Sequence, residues 1–241
     1  MTAQVNPIPR APAYSLSLYD ALIEFGLPMR ASVLDLACGE GDASTPLAEN
    51  DFAVVGVDND AAAIESARAA HPRATWRLAD ALALPFEPAT FDAVICAQSF
   101  HLFDRARALA ETIRVTKPRG LIAIWWKHGM SGSPLRPLCD EAAREFGIEP
   151  LAGTLTGGFR EFYSAELDEQ RLRVLPWRLL TSRAAFLREE RVRLKHAGLP
   201  ESTIAGYSEA LERLISEQLG PERGSFEHAY MQYLYLGRRR A

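Results

Sequence analysis

Five short apolar runs alternate with amphipathic segments through the first half of the chain. The runs are SVLDLA, FAVVGVD, ATWRLA, FDAVICAQ and GLIAIWW, between residues 32 and 126. Segments with helical periodicity, such as DASTPLAEN and NDAAAIESARAAH, separate them. Strands that read as continuous apolar runs are typical of parallel sheets covered on both faces. The pattern therefore predicts a doubly wound α/β domain with a mostly parallel sheet.

The second half of the chain departs from this alternation. LRPLCDEAAREFG predicts a helix, and the glycine-rich GTLTGGFREFYS indicates a mobile or irregular segment, so we expect a lid over residues 128–170. LRVLPWRLL predicts a strand, and Pro176 favours an edge position for it. Two helices follow and end at LKHAGLP and EQLGP, before a last aromatic strand, FEHAYMQYLYLG.

The domain organisation predicted from these elements is a single domain over residues 1–241. An extended, proline-containing leader precedes apolar residues at near-helical spacing, which indicates an N-terminal cap helix within residues 1–30. The ligand-binding half is expected at residues 33–127, and residues 171–241 supply the strands and helices that complete the sheet.

Composition narrows the possible classes of protein. The chain has 241 residues, a net charge of −4 and 48% hydrophobic residues, which is typical of a globular protein with a full core. An acidic balance disfavours a nucleic acid partner, and the N-terminal stretch has no apolar segment that predicts a signal peptide or a membrane anchor. The three cysteines are odd in number and far apart, and the five histidines are widely spaced. We therefore expect a cytoplasmic protein without disulfides or a metal site, as a monomer or homodimer.

The stretch VLDLACGEGDASTPLA, residues 33–48, carries the strongest local signal. Glycines directly after a strand allow the backbone to approach a ligand, and the dinucleotide pattern G-x-G-x-x-G would need a third glycine where this chain has Ser44. Asp35 lies four residues before Gly39, and a carboxylate beside a pyrophosphate would be repelled by roughly 4 kcal/mol. A cationic ligand without phosphates is favoured, and S-adenosylmethionine fits this description.

Two further acids follow predicted strands. Asp58 ends the second strand, where a carboxylate can accept hydrogen bonds from both ribose hydroxyls, and Asp80 follows the third strand, where the adenine amino group is expected. Asp58 could instead cap the helix that begins near Asp60. Open α/β sheets bind ligands at the carboxyl ends of their strands, which is where all these acids are predicted to lie.

Four stretches in register over residues 33–104 carry a family resemblance. VLDLACGEG, VVGVDND, ADALALPF and FDAVICAQSFHLFD resemble the class I S-adenosylmethionine-dependent methyltransferases of the methyltransferase type 11 group. AQSFHLFD and LPWRLLT are similar to trans-aconitate-methyltransferase-like members. The resemblance implies a seven-stranded, Rossmann-like sheet with an antiparallel edge strand, for which FEHAYMQYLYLG is the candidate. The predicted cofactor-binding residues are Tyr14, Asp35, Ala37, Gly39, Gly41, Asp58, Asn59, Asp80, Ala81, Ala97 and Gln98.

The reaction implied by the resemblance is methyl transfer to a small-molecule acceptor, most simply to the oxygen of a carboxylate or hydroxyl. His101, Trp126 and His128 are the candidate acceptor-binding residues. His101 is also the candidate general base, and the alternative is that it only lines the pocket. Two other functions stay open from the sequence: a non-catalytic adenosylmethionine-binding or regulatory protein, and a nucleotide-dependent oxidoreductase.

Overall fold

The computed structural model describes residues 13–130, 135–149, 163–220 and 224–241. Its helices are α1 (Leu16–Glu24), α2 (Thr45–Glu49), α3 (Ala61–Ala70), α4 (Arg105–Val115), α5 (Arg136–Glu145), α6 (Arg183–His196) and α7 (Glu201–Leu219), with a short 3₁₀ helix at Phe100–Leu102. Its strands are β1 (Ser32–Leu36), β2 (Ala53–Asp58), β3 (Thr75–Leu78), β4 (Phe91–Ala97), β5 (Thr116–Gly129), β6 (Leu167–Ser182) and β7 (Ser225–Arg239).

The seven strands form one mixed sheet in the order β3-β2-β1-β4-β5-β7-β6. The pairs β2–β3, β1–β2, β1–β4 and β4–β5 are parallel. The sheet also has an antiparallel edge. A mostly parallel seven-stranded sheet with such an edge confirms the predicted doubly wound α/β fold. The aromatic strand β7 was the candidate for the edge strand, and that assignment is wrong, because β7 lies between β5 and β6. Strand β6 is outermost, as Pro176 indicated. Proline lacks the N–H that a second neighbouring strand would need.

Two elements near the site differ in length from the sequence prediction. Helix α2 is confined to Thr45–Glu49, because a turn occupies the residues before it and Pro46 has no N–H to continue the helical hydrogen bonds into that turn. Strand β5 continues to Gly129, so Trp125 and Trp126 do not end it. Both residues are buried, at 0% and 5% exposure.

The described chain divides into two compact units. The first comprises residues 1–126, 161–173 and 234–241, of which 1–12 and 161–162 lie outside the described residues. Its centre is the parallel part of the sheet, where the apolar residues of β1 and β4 are almost fully buried. Burial of such runs on both faces is the main stabilising term of this unit.

The second unit comprises residues 127–160 and 174–233. Its core is formed by α5, α6 and α7, with α5 and α6 each packed on α7. The predicted lid, residues 128–170, includes α5, whose Leu138 and Ala142 lie in this core. The lid's residues 131–134 and 150–162 are outside the described part of the chain. None of the described helices combines the length and apolar character that a membrane-spanning helix requires.

Candidate functional site

Asp35 is a fully buried carboxylate near the carboxyl end of β1. It is 0% exposed, and neither of its oxygens accepts a hydrogen bond of ordinary geometry from any residue that the structure describes; the Ser44 hydroxyl is its one weak partner there. Burial raises the pKa of Asp35 to about 7; the Ser44 hydroxyl opposes the rise, and the charge of Asp58 adds to it. A buried carboxyl group with so little compensation is costly for a fold to retain, which points to a ligand that compensates it.

The backbone after β1 and β4 adopts the left-handed conformation at residues other than glycine. Ala37 has φ 55° and Gln98 has φ 63°, a region that side chains rarely occupy. The Gln98 N–H donates to the Trp125 carbonyl at 2.8 Å, which holds the end of β4 beside β5. Strain of this kind concentrates at functional sites, where the surrounding structure maintains it.

The two glycines of the turn have different surroundings. A Cβ atom on Gly39, at φ 53°, would meet no described heavy atom within 4 Å, so this face of the backbone is open. A Cβ atom on Gly41 would lie 2.5 Å from Cη2 of Trp76. Gly41 is thus a close-packing position against a buried ring, whereas Gly39 provides the open approach that a ligand needs.

Asp58 ties the glycine turn to the end of β2. Its Oδ2 accepts a hydrogen bond from the Gly39 N–H at 2.8 Å, and its Oδ1 accepts one from the Asp60 N–H at 2.9 Å. The cap of α3 is Asp60, whose side chain accepts from the N–H of Ala62 and of Ala63. The alternative role considered for Asp58, as the helix cap, therefore belongs to Asp60. Each Asp58 oxygen keeps further acceptor capacity.

A cavity of about 190 Å³ lies at the carboxyl ends of β1, β2 and β3. Five of the residues predicted for the cofactor line it: Ala37, Asp58, Asn59, Asp80 and Ala81. Sequence reasoning did not assign the remaining lining residues to the site; they are Val57, Ala79, Leu82, Leu102, Phe103 and Asp104. Three of these, Leu102, Phe103 and Asp104, could have been found from the sequence, because they directly follow the candidate residue His101 in the stretch FHLFD.

The loop after β3 is held against α4. Asp80 accepts a hydrogen bond from the Leu82 N–H at 2.8 Å. Arg114 donates to the Phe86 carbonyl at 2.7 Å and the Leu84 carbonyl at 3.0 Å, and its partner Glu111 accepts from the Leu84 N–H at 2.9 Å. The side-chain hydrogen bond to Arg114 lowers the pKa of Glu111. These bonds fix the loop on which Asp80 and Ala81 face the cavity.

His101 is paired with Trp126. The indole N–H of Trp126 donates to Nδ1 of His101 at 3.1 Å. His128 belongs to the second unit, where its ring packs edge-on against Tyr233 at a centroid distance of 6.0 Å. The structure thus joins two of the three predicted acceptor-binding residues in one unit.

Helix α1 is attached to the glycine turn. The Tyr19 hydroxyl donates to the Ala43 carbonyl at 2.8 Å, and burial raises the pKa of Tyr19 above its usual range. Tyr14 contacts Trp125 edge-on, with ring centroids 5.6 Å apart. The described part of the predicted cap helix therefore packs on the sheet and the turn, while residues 1–12 lie outside the described residues.

The charges of the cavity select against phosphates. Its lining contains three carboxylates, those of Asp58, Asp80 and Asp104, and none of its lining residues is a lysine or arginine. Pyrophosphate sites supply cations or a free helix N-terminus, and carboxylates beside them would repel. The fold and this lining define an open-sheet α/β protein whose cavity disfavours ligands that carry phosphates.

Comparison with known proteins finds similarity to methyltransferases over part of the chain. Residues 33–120 match the model of the methyltransferase domain family. An uncharacterized methyltransferase of Mycobacterium tuberculosis is 38% identical over 105 residues, which are 43% of each chain. A Mycolicibacterium smegmatis protein, provisionally described as an S-adenosylmethionine-dependent methyltransferase, is 34% identical over 131 residues, 53% of this chain and 51% of its own.

A solved structure is similar over nearly the whole chain. It comes from Anaeromyxobacter dehalogenans, is provisionally assigned as a type II methyltransferase, and is 25% identical with a TM-score of 0.62, covering 94% of this chain and 97% of that one. Over residues 33–120 the chain is similar to methyltransferase domains of the class I, S-adenosylmethionine-dependent type. The chain spans about half the length of the curated relatives it matches.

Proposed function

We propose that this protein is an active S-adenosylmethionine-dependent methyltransferase that methylates a small-molecule acceptor on the oxygen of a carboxylate or hydroxyl. The observation that carries the proposal is the fully buried and poorly compensated Asp35 carboxyl group on the strand that leads into the glycine turn, where the face of Gly39 is open. When bound, the cofactor supplies an electrophilic methyl group on a positively charged sulfur. A buried carboxylate favours such a cation by Coulomb attraction in a low-dielectric site.

The chain offers a matching group for each part of the cofactor. Asp35 and the turn at Gly39 would hold the charged methionine part. Asp58, oriented by two backbone N–H groups, would accept from the ribose hydroxyls. Asp80 and Ala81, on the loop fixed by Arg114, would flank adenine, with the apolar Leu102 and Phe103 across the cavity lining. Tyr14, Ala97 and Gln98 remain proposed contacts at the carboxyl ends of β4 and β5.

Positioning supplies most of the rate enhancement in this proposal. Holding an acceptor in line with a bound methyl donor contributes up to about 7–11 kcal/mol in effective-molarity terms. The residues of this chain would serve by orienting the two reactants and excluding water. The likeness of AQSFHLFD to trans-aconitate-methyltransferase-like sequences supports a small carboxylate as one candidate acceptor, with His101 and Trp126 as its proposed contacts.

Two other functions make different predictions. A nucleotide-dependent oxidoreductase needs a pyrophosphate site, which the three carboxylates of the cavity lining disfavour. A non-catalytic adenosylmethionine-binding protein would share the binding groups and lack transfer. The cofactor-binding part of the site supports this second function as well as it supports an enzyme, so product formation has to decide between them.

The test combines binding and transfer. Calorimetry with S-adenosylmethionine should show binding, and nicotinamide adenine dinucleotide is the matched ligand control that should not bind. Incubation with methyl-labelled cofactor and a metabolite extract should then yield a labelled small molecule. Binding of the dinucleotide alone would refute the proposal in favour of an oxidoreductase, and cofactor binding without any labelled product would favour the regulatory alternative.

A further inference from the structure

Asp104 is a carboxylate of the cavity lining that the proposed function leaves unused. Asp58 and Asp80, the other two acids of the lining, are proposed for ribose and for adenine. Asp104 caps α4, and its Oδ1 accepts a hydrogen bond from the Arg107 N–H at 3.2 Å. A carboxylate has about four acceptor positions on its two oxygens, so this one bond leaves Asp104 able to accept hydrogen from a ligand.

The segment that carries Asp104 is fixed just after the carboxyl end of β4. The Leu102 N–H donates to the Ser99 carbonyl at 2.9 Å. The Phe103 ring packs edge-on against the buried Phe100, with ring centroids 6.1 Å apart. Leu102, Phe103 and Asp104 all line the cavity. The acid therefore directly follows two apolar lining residues, against which a flat base can pack.

Helix α4 also fixes the loop that carries Asp80. Glu111, about two turns after Asp104, accepts a hydrogen bond from the Leu84 N–H at 2.9 Å, and Arg114 donates to the Leu84 carbonyl at 3.0 Å. Asp80 lies at the start of this loop and lines the same cavity. One helix thus has the first acid at its N-terminus and anchors the loop of the second, so it holds the two lining residues in a constant relation.

The polar side chains of the cavity lining offer many acceptors and few donors. They are Asp58, Asn59, Asp80 and Asp104, and among them the amide of Asn59 is the single donor group. Such a lining favours ligand groups that carry hydrogen and disfavours groups that present lone pairs. The exocyclic amino group of adenine carries two hydrogens, and each needs an acceptor where water is excluded. Two acids on two segments of the lining can supply one acceptor for each hydrogen.

We propose that Asp104 determines specificity for the base, accepting one hydrogen of the adenine amino group while Asp80 accepts the other. The inference rests on the proposed function. It follows that the site requires an amino group with both hydrogens and rejects a 6-oxo purine, whose oxygen would face two carboxylates. Rejection is steep in a site that hydrogen-bonds a ligand group, because the buried acceptors lose their partner when that group is absent.

The first test compares S-adenosylhomocysteine with S-inosylhomocysteine, which has an oxo group in place of the amino group. In calorimetry the wild-type protein should bind the adenosyl compound at least about 100-fold more tightly. Asp104→Asn should narrow this preference by about 10-fold or more, because an amide can donate to the 6-oxygen, while asparagine still caps a helix. Asp60→Asn is the matched control, since Asp60 caps α3 and is not a lining residue, and it should keep the wild-type preference. An unchanged preference in Asp104→Asn overturns the inference.

The second test removes the amino group from the ligand. Adenosine and purine riboside differ only by that group, and serine is also a good helix cap. Asp104→Ser should weaken adenosine binding by roughly 10-fold to 100-fold and leave purine riboside binding unchanged. Equal losses for the two ligands would show that Asp104 acts only through the fold of α4, and no loss for adenosine would remove it from the base site. Either result overturns the inference.

The wild-type protein decides the question if the variants do not fold. N6-methyladenosine has one amino hydrogen, and it should bind at least about 10-fold more weakly than adenosine because one of the two acids loses its partner. Equal affinity for the two nucleosides overturns the inference.

Failure of the inference and failure of the proposed function give different results. Methyl transfer together with an unchanged base preference in Asp104→Asn refutes the role of Asp104 and leaves the methyltransferase standing. The expected base preference without methyl transfer refutes the enzyme and leaves the role of Asp104 standing. If neither S-adenosylmethionine nor adenosine binds, the cavity is not a nucleoside site and both are refuted.

Discussion

Substitution of Gly39 by alanine tests whether this glycine is needed for the approach of the ligand or only for the fold. Gly39 has φ 53°, and an added Cβ would meet no described atom within 4 Å. The folded protein should therefore lose only the cost of a left-handed alanine, about 1–2 kcal/mol. The same methyl group would stand where the proposed cofactor approaches the backbone, and crowding of this size costs about 1–3 kcal/mol, or roughly 5-fold to 150-fold in affinity.

Two other glycines provide the comparison. Gly147 has φ 62° with no described atom within 4 Å of an added Cβ, so Gly147→Ala should show the same backbone cost without loss of cofactor affinity. Gly41 has φ 86°, and its Cβ would lie 2.5 Å from Trp76. Gly41→Ala must displace a buried ring as well as strain the backbone, and its unfolding free energy should fall by more than that of Gly39→Ala.

Urea unfolding and calorimetry measure the two effects on the same samples. The expected result is a similar stability loss in Gly39→Ala and Gly147→Ala, with weaker cofactor binding only in the former. Wild-type affinity in Gly39→Ala would refute the argument that this open face approaches the ligand. A stability loss in Gly39→Ala as large as that in Gly41→Ala would instead show that Gly39 is a packing position.

Three further predictions follow from the buried polar groups. Asp58→Ala should weaken cofactor binding in calorimetry by about 1.5–3 kcal/mol because the ribose loses a charged acceptor, and an unchanged affinity would remove Asp58 from the site. The pKa of Asp35 is raised to about 7 in the folded protein and lies near 3.9 in an unfolded chain, so its contribution to stability should fall as pH rises from about 4 to 7 and then level off. The unfolding free energy of Asp35→Asn, measured in urea across this range, should not show this fall with pH. If it followed the same pH dependence as the wild-type protein, the assignment to Asp35 would be contradicted. Tyr19→Phe should lower the unfolding free energy by about 0.5–1.5 kcal/mol through loss of the bond to Ala43, and no change in urea unfolding would contradict that role.

The parallel sheet could be predicted from the sequence because its signals are local. Four of the first five strands are apolar runs, and burial on both faces leaves such runs few alternatives. Strand β3 is the exception, because it lies at the edge of the sheet and only Trp76 of its residues is buried. The glycine turn and the acids Asp58 and Asp80 were predictable for the same reason, since each follows a strand end directly. Pro176 likewise indicated an edge position by removing one N–H, which is a property of the residue itself.

The contacts that organise the site join residues that are distant in the sequence, and the sequence around each residue does not predict them. Gly41 packs on Trp76, Trp126 donates to His101, and Arg114 holds the loop that follows Asp80. A tryptophan or arginine in an ordinary helix or strand pattern does not reveal which remote group it contacts. The predicted length of α2 was wrong because a turn precedes Thr45 and Pro46 has no N–H to extend the helix into that turn.

The charge of Asp35 shows how burial changes the argument made from sequence. Four residues before Gly39, Asp35 was taken as a fixed negative charge that repels phosphate. The structure buries it completely, and a pKa of about 7 leaves it only partly ionised near neutral pH. Selection against phosphate then depends more on Asp58, Asp80 and Asp104 of the cavity lining. A cationic ligand stabilises the ionised form of Asp35. Binding of such a ligand should therefore release a proton below pH 7, and its affinity should fall as the pH falls. The affinity of a neutral nucleoside for the same cavity should not depend on pH in this way.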